Sequence, residues 1–279
     1  MISLVRRIAA LCALGAALAA CGAPEPTHHL RHHSASPSAT VPAPPTLAPG
    51  PGGLPSVFTN GPRNKKIIAL TFDADMTADQ GTLAAAGNRF DNPGLIDTLR
   101  ELGVPATVFM TGRWADEYPE EVRYIGREPL FEVANHSYSH YSFAGNCYGL
   151  PVLAEKQMRS DVEHAFTAIR KAGVPHPMPY FRFPGGCYDD QALRAIKPLG
   201  VTAIQWDVVS GDAFATDADA VVRQVMEGVR PGSVVVMHCT RTAAPVTEQV
   251  IRAVVPSLRQ QGYRFVKVSE MIRASAGRH

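Results

Sequence analysis

The sequence predicts an α/β fold, a distorted parallel barrel of about seven strand–helix units. Three observations predict it. Short apolar runs alternate with longer amphipathic segments from Lys65 onwards, the pattern of strands feeding crossover helices. Glycines follow the helical segments, as at Gly103, Gly173, Gly200 and Gly262, where the left-handed backbone that ends a helix costs least. Polar residues stand where five strands run out, at Asp73, His136, Arg182, Asp207 and His238, the end at which α/β barrels build their chemistry.

Taken in order, residues 67–72 form an apolar run suited to a strand buried on both faces. A helix is predicted over 95–102 and strands over 106–110 and 131–134. The long amphipathic stretch 151–172 reads as a helix, 180–183 as a strand and 191–199 as a helix. Strands at 201–206, 233–237 and 264–268 and helices at 219–229 and 246–260 complete the alternation. No helix is opened by Gly-x-Gly-x-x-Gly or a P-loop, which argues against a nucleotide fold.

Residues 1–20 read as an export signal, with Arg6 and Arg7 before an apolar run too short to span a membrane. The run ends in Leu18-Ala19-Ala20-Cys21, which resembles the lipobox of bacterial lipoproteins; simple cleavage and secretion is the alternative. Lipidation of Cys21 would anchor the chain to the outer face of the cell membrane. Residues 21–62 are expected to be a disordered tether, since 22–62 hold ten of the 23 prolines with little aliphatic periodicity. The cluster His28-His29-Leu30-Arg31-His32-His33 reads as solvated linker rather than a metal tract. The catalytic domain is then 63–279.

The 279 residues are 46% hydrophobic and 19% charged, enough for a sizeable core. Without Arg6 and Arg7 the chain carries 25 basic and 25 acidic residues. That balance excludes the basic excess typical of nucleic-acid binders. With Cys12 in the leader and Cys21 taking the lipid, Cys147, Cys187 and Cys239 remain. One disulfide is expected outside the cell, leaving three pairings open, with Cys147–Cys187 favoured.

The motifs supply an acid–base and metal inventory. His136 and His140 are four residues apart, so a helical turn would put both rings on one side. Two imidazoles and a carboxylate make a three-ligand site with an open position. Asp73 and Asp75 are the nearby carboxylates, one for the metal and one to take a proton from water. A histidine at the end of an apolar strand is more often a core residue, but His238 here can be the general acid. Asp212 or Asp207 could hold it protonated. Arg182 can orient Asp73, and the Gly185-Gly186 pair lets backbone amides approach a ligand.

Across about residues 64–272 these motifs resemble the NodB-homology polysaccharide deacetylases, carbohydrate esterase family four. Thr71-Phe72-Asp73-Ala74-Asp75 resembles the family's Thr-Phe-Asp-Asp-Gly. His136 to His140, Arg182-Phe183-Pro184-Gly185-Gly186 and Val235 to His238 resemble its second, third and fifth motifs. The resemblance implies a NodB-type (β/α)7 barrel, Asp73 as base and His238 as acid. It implies Arg182 steadying the base and the Gly185 amide facing the oxyanion. Asp212 tunes His238, while Asp75, His136 and His140 hold one divalent metal, zinc first, with cobalt, nickel or iron also suited. Ala74 stands where the family has its second Asp, and Ala213 where a tryptophan walls the acetyl group.

The expected activity is metal-dependent removal of N-acetyl groups from peptidoglycan GlcNAc or MurNAc, or from chitin-like oligomers. An O-acetyl esterase on acetylated xylan or a similar polysaccharide is the second reading, and an inactive metal-containing wall-binding lipoprotein the third. The expected partners are the acetylated polysaccharide and, through Cys21, the membrane; no nucleic acid is expected, and the chain is expected to be a monomer.

Overall fold

The computed structural model describes residues 43–276. The expected leader, the lipobox Cys21 and the His28–His33 cluster lie outside the described residues. In chain order the elements are β1 (Val57–Phe58), β2 (Ile67–Ala74), α1 (Gly81–Ala85), α2 (Pro93–Glu101), β3 (Ala106–Met110), α3 (Gly112–Glu117) and α4 (Pro119–Arg127). There follow β4 (Phe131–Asn135), α5 (Glu155–Lys171), β5 (Tyr180–Phe181), α6 (Asp190–Ile196), β6 (Thr202–Ile204) and β7 (Val208–Val209). The chain continues through α7 (Ala218–Gly228), β8 (Val234–His238), α8 (Thr247–Gln260), β9 (Arg264–Phe265) and α9 (Val268–Ala276). Among the described residues no helix is long and apolar enough to cross a membrane.

The strands form one sheet in the order β1-β6-β5-β4-β3-β2-β8-β7, with β9 also on β2, and every named pair is parallel. This is the expected α/β parallel barrel, and its distortion has a chain-length cause. β6 and β7 sit near opposite ends of the sheet order, yet only residues 205–207 join them. An extended chain covers about 3.5 Å per residue, so the sheet must curl until its ends nearly meet. Gln205 N–H then donates to Phe58 O on β1 and Asp207 N–H to Val234 O on β8.

All eight residues of β2 are buried, as its unbroken apolar run predicts. Period-two alternation divides them. Ile68, Leu70 and Phe72 pack outward under α2 and α8, with Leu95, Leu99, Ile251 and Val254. Ile67 and Ala69 face inward with Phe109, Ala134, Tyr180, Ile204 and Val234. α9 closes the amino end of the barrel: Met271 joins the inner cluster, and Val268 N–H donates to Thr107 Oγ1.

Three expectations are corrected. The strand predicted over 264–268 stops at Phe265 and gives way to α9, because Ser269 N–H is drawn to buried Glu132. The tether expected to reach 62 is ordered on the domain from residue 43. Within it, β1 pairs with β6, Tyr180 Oη donates to Pro45 O, and Phe58 is buried. α3 and α4 fill a stretch for which no helix was predicted.

Candidate active site

The inward phase of the strands fixes what meets at the carboxyl end of the barrel. On β2 the inward residues run Ile67, Ala69, Thr71 and Asp73, and register pairs Asp73 with His238 of β8. On β4 and β5 the next inward positions beyond the strand ends are His136 and Arg182. Four of the five motif residues therefore converge as side chains, not merely as strand ends.

Arg182 is fully buried and explains much of the local order. Its Nη1 donates to Asp73 Oδ1 at 2.6 Å, Nη2 to Thr71 Oγ1 at 2.8 Å and Nε to Ile204 O at 3.2 Å. The guanidinium lies 4.0 Å from the Phe109 ring centroid and 5.4 Å from that of Trp206. Burial alone would push the Asp73 carboxyl up. The Arg182 guanidinium and the His136 and His238 rings reverse this and hold it below the ordinary value. Asp73 is thus a buried, oriented carboxylate.

His238 is the complementary group. Its Nδ1 lies 2.8 Å from Asp212 Oδ1, and its backbone N–H donates to Asp212 Oδ2 at 2.7 Å. Thr247 Oγ1 and Ser210 Oγ donate to the same carboxylate at 2.7 and 2.9 Å. Burial pulls the imidazole down, but the Asp212 hydrogen bond and charge, with Asp75 and Asp73 behind them, raise it to about 9. Asp212, buried itself, is held low by His238 and Thr247. Asp207 plays no such part. It precedes β7 and bonds Arg63, Ser233 and Val234 N–H at the amino end of β8, so its expected place beside the site is corrected.

The His136–His140 segment is a bent loop, not the helical turn expected from its spacing. Asn135 Oδ1 accepts from Ser137 N–H, and Asp161 Oδ1 from Tyr138 N–H. Ser137 and His140 take left-handed backbone, φ 69° and 57°. The loop still brings the rings to 4.9 Å between centroids. His136 Nε2 stands 3.6 Å from Asp73 Oδ2, and His140 Nε2 3.6 Å from Asp75 Oδ2. Thr240 Oγ1 donates to Asp75 Oδ1.

The chemistry of these donors fits a divalent metal. Among the described residues no group of three or more His, Cys, Asp or Glu is placed to hold a metal ion as it stands; Asp75 and His140 line one cavity, and the His136 ring lies 4.9 Å from that of His140. His136 Nδ1 lies 3.0 Å from Arg182 O; as the donor it leaves Nε2 free to ligate, the usual outer support of a metal-binding imidazole. Burial keeps both rings neutral, lowering His136 and taking His140 to about 4.

Gly185 sits in the turn Pro184–Gly186 with φ 63°. The disulfide Cys147–Cys187, Cα atoms 6.1 Å apart, closes over it, and a Cβ at Gly185 would lie 2.6 Å from Cys147 Sγ. Cys239 is free and buried. Beside Asp75 and His140 opens a cavity of about 320 Å³, edged by Phe214, Leu150 and Leu83.

Several supporting residues were given no role by the motif reading. Thr71 could have been found, because it shares Asp73's face two positions earlier. Thr247 and Asp161 carry no local signal; each comes from a distant helical region.

The profile described as polysaccharide deacetylase matches residues 60–204. A peptidoglycan-N-acetylglucosamine deacetylase of Bacillus cereus is 28% identical over 76% of this chain and 91% of its own. A chitooligosaccharide deacetylase of Sinorhizobium fredii is 29% identical over 61% of this chain and 80% of its own. Among solved structures, a mutant with restored enzymatic activity of a CE4 family pseudoenzyme from Bacillus anthracis is 25% identical. It has a TM-score of 0.63, covering 78% of this chain and 71% of that one.

Proposed function

The chain belongs to the polysaccharide deacetylase family, and from that premise we propose that it removes N-acetyl groups from an extracellular glycan, peptidoglycan or a chitin-like oligomer. The observation that carries this is the pairing of Asp73 with His238 on neighbouring strands, one held ionised and the other protonated. Hydrolysis of an amide needs both, a base for water and an acid for the amine.

Asp75, His136 and His140 would hold one divalent metal, zinc first, with cobalt, nickel or iron suited to the same donors. Bound there, it would polarise the acetyl carbonyl and acidify water. Asp73 takes the proton of the attacking water, and Arg182 keeps that carboxylate in place. The Gly185 amide donates to the oxyanion that develops. His238 gives its Nε2 proton to the departing amine, while Asp212 on Nδ1 fixes the ring's direction.

The N-terminal sequence supports export and anchoring through Cys21 on the outer face of the cell membrane. The reading is tested by acetate release from N-acetylglucosamine oligomers, peptidoglycan and acetylated xylan, with and without chelator and added metals. Metal-restored release from the N-acetylated glycans is expected. Release from acetylated xylan alone would overturn N-deacetylation, and no release from any glycan would overturn the enzyme reading. Asp73→Asn should lose about 10²–10⁴-fold in kcat while retaining metal.

A further inference from the structure

Backbone strain marks a second set of residues at this site. Among the described residues four non-glycine positions have left-handed φ: Ser137, His140, Tyr148 (φ 50°) and Phe214 (φ 60°). The first two shape the histidine loop. The other two are large aromatics, which rarely adopt this backbone, and the residues are 89% and 83% exposed. Strain of this kind persists where surrounding structure enforces it, and it gathers at functional sites.

Both positions are enforced. Phe214 N–H donates to Ala243 O at 2.6 Å, and Ala215 N–H to Asp212 O at 3.1 Å, so the turn after Asp212 is tied on both sides. Tyr148 follows Cys147, whose disulfide to Cys187 fixes it against the Gly185 turn. A Cβ at Gly185 would lie 3.3 Å from the Tyr148 ring and 3.5 Å from Leu150. Leu150 also lines the cavity that holds Phe214, Asp75 and His140. One aromatic therefore stands over the Gly185 turn and the other at the cavity wall, with Leu150 common to both.

We propose that Tyr148 and Phe214 are the sugar-gripping walls of the cleft, taking the apolar C–H faces of pyranose rings in the substrate chain. The inference rests on the glycan deacetylase reading. The cavity's remaining lining suits such a ligand, because Gln80, Asn88 and Thr242 offer hydrogen bonds to hydroxyl edges. A pyranose has this split character, apolar on its faces and polar around its rim. Gly185 and Ala213 carry no large side chain of their own. The two strained aromatics supply what those positions lack.

The test is calorimetric binding of the N-acetylglucosamine tetramer to the full domain carrying Asp73→Asn, which slows turnover about 10²–10⁴-fold. Tyr148→Ala and Phe214→Ala should each raise Kd about tenfold, with Tyr148→Phe and Phe214→Tyr restoring it. Tyr124→Ala, an exposed aromatic on α4, should have no effect. Alanine variants that melt normally and bind as the parent does would overturn the proposal, as would a parent that binds no tetramer. Should the tetramer bind through these rings while the unsubstituted chain releases no acetate, the walls stand and the deacetylase reading falls.

Discussion

Asp73 and His238 are register neighbours on parallel strands, yet their surroundings push their proton affinities in opposite directions. Arg182 does this for Asp73, and Asp212 for His238. For His238 the folded value, about 9, lies above the ordinary 6.5. Its contribution to stability is therefore complete below about 6.5 and fades as pH rises through about 9. An NMR titration of the His238 ring in metal-free protein should place its midpoint near 9. Asp212→Asn should bring that midpoint down and move the alkaline fall of kcat/KM in the same direction. An unchanged midpoint would detach Asp212 from the acid. Replacing His238 by Ala should cost about 10²–10⁴-fold in kcat, the usual scale for a general acid. Much of this residue-level pattern was legible in advance, because Asp73, Arg182 and His238 end apolar strands whose inward phase follows from alternation. Asp207 ends a strand equally well, yet faces the other mouth of the barrel, since its orientation depends on β7 joining β8.

At the scale of elements, the disulfide joins the loop after the histidine motif to the turn carrying Gly185. Removing it acts on the unfolded chain and on the site together. The bridge closes 40 residues of sequence, which in the chain-entropy account corresponds to about 4 kcal/mol. Cys147→Ser should therefore lower stability by roughly that amount, read from urea unfolding. Its kcat should fall more than that of Cys239→Ser, whose thiol is free and buried. Equal losses in the two variants would mean that the disulfide does not position the Gly185 turn. The fold's elements differed in how far sequence revealed them. β2, β3 and β8 declare themselves through largely apolar runs, β4 through Phe131, Val133 and Ala134 around Glu132, and α5 and α8 through long amphipathic stripes. β1 and β7, two residues each, exist only because a partner strand lies beside them. α3 is hidden because its start is set by Thr111 accepting from Trp114 N–H, and its continuation as α4 is broken at Pro119. The histidine loop is hidden for another reason: left-handed Ser137 is held by Asn135, and Tyr138 and Ser139 between the two left-handed residues by Asp161, far along the chain.

For the whole molecule, the decisive feature is that the barrel is closed by chain that reads as linker. Residues 43–62 are proline-rich and without periodicity, so composition assigns them to the tether. Tertiary contacts override that tendency. Leu47 N–H donates to Thr202 Oγ1 at 3.1 Å, Ala203 N–H to Ser56 O at 3.1 Å and Gln205 N–H to Phe58 O at 2.8 Å. Phe58 packs with Tyr180 and Ile204 inside the barrel. Without this segment β6 loses its outer partner, and the neighbouring residues that reach the site lose support. Gln205 donates to Gly186 O at 2.8 Å, and a Cβ at Gly186 would lie 2.5 Å from the Trp206 ring. A chain beginning at Arg63 should therefore melt below one beginning at Ala43. Burying a phenylalanine is worth about 2 kcal/mol and each lost hydrogen bond about 1 kcal/mol. The loss of that burial and of those hydrogen bonds sets the direction of the change, a lower Tm for the shorter chain. Acetate release should fall with it at temperatures where both forms are folded, because the damage lies beside the Gly185–Gly186 turn. Equal melting temperatures and equal rates would return residues 43–62 to the tether.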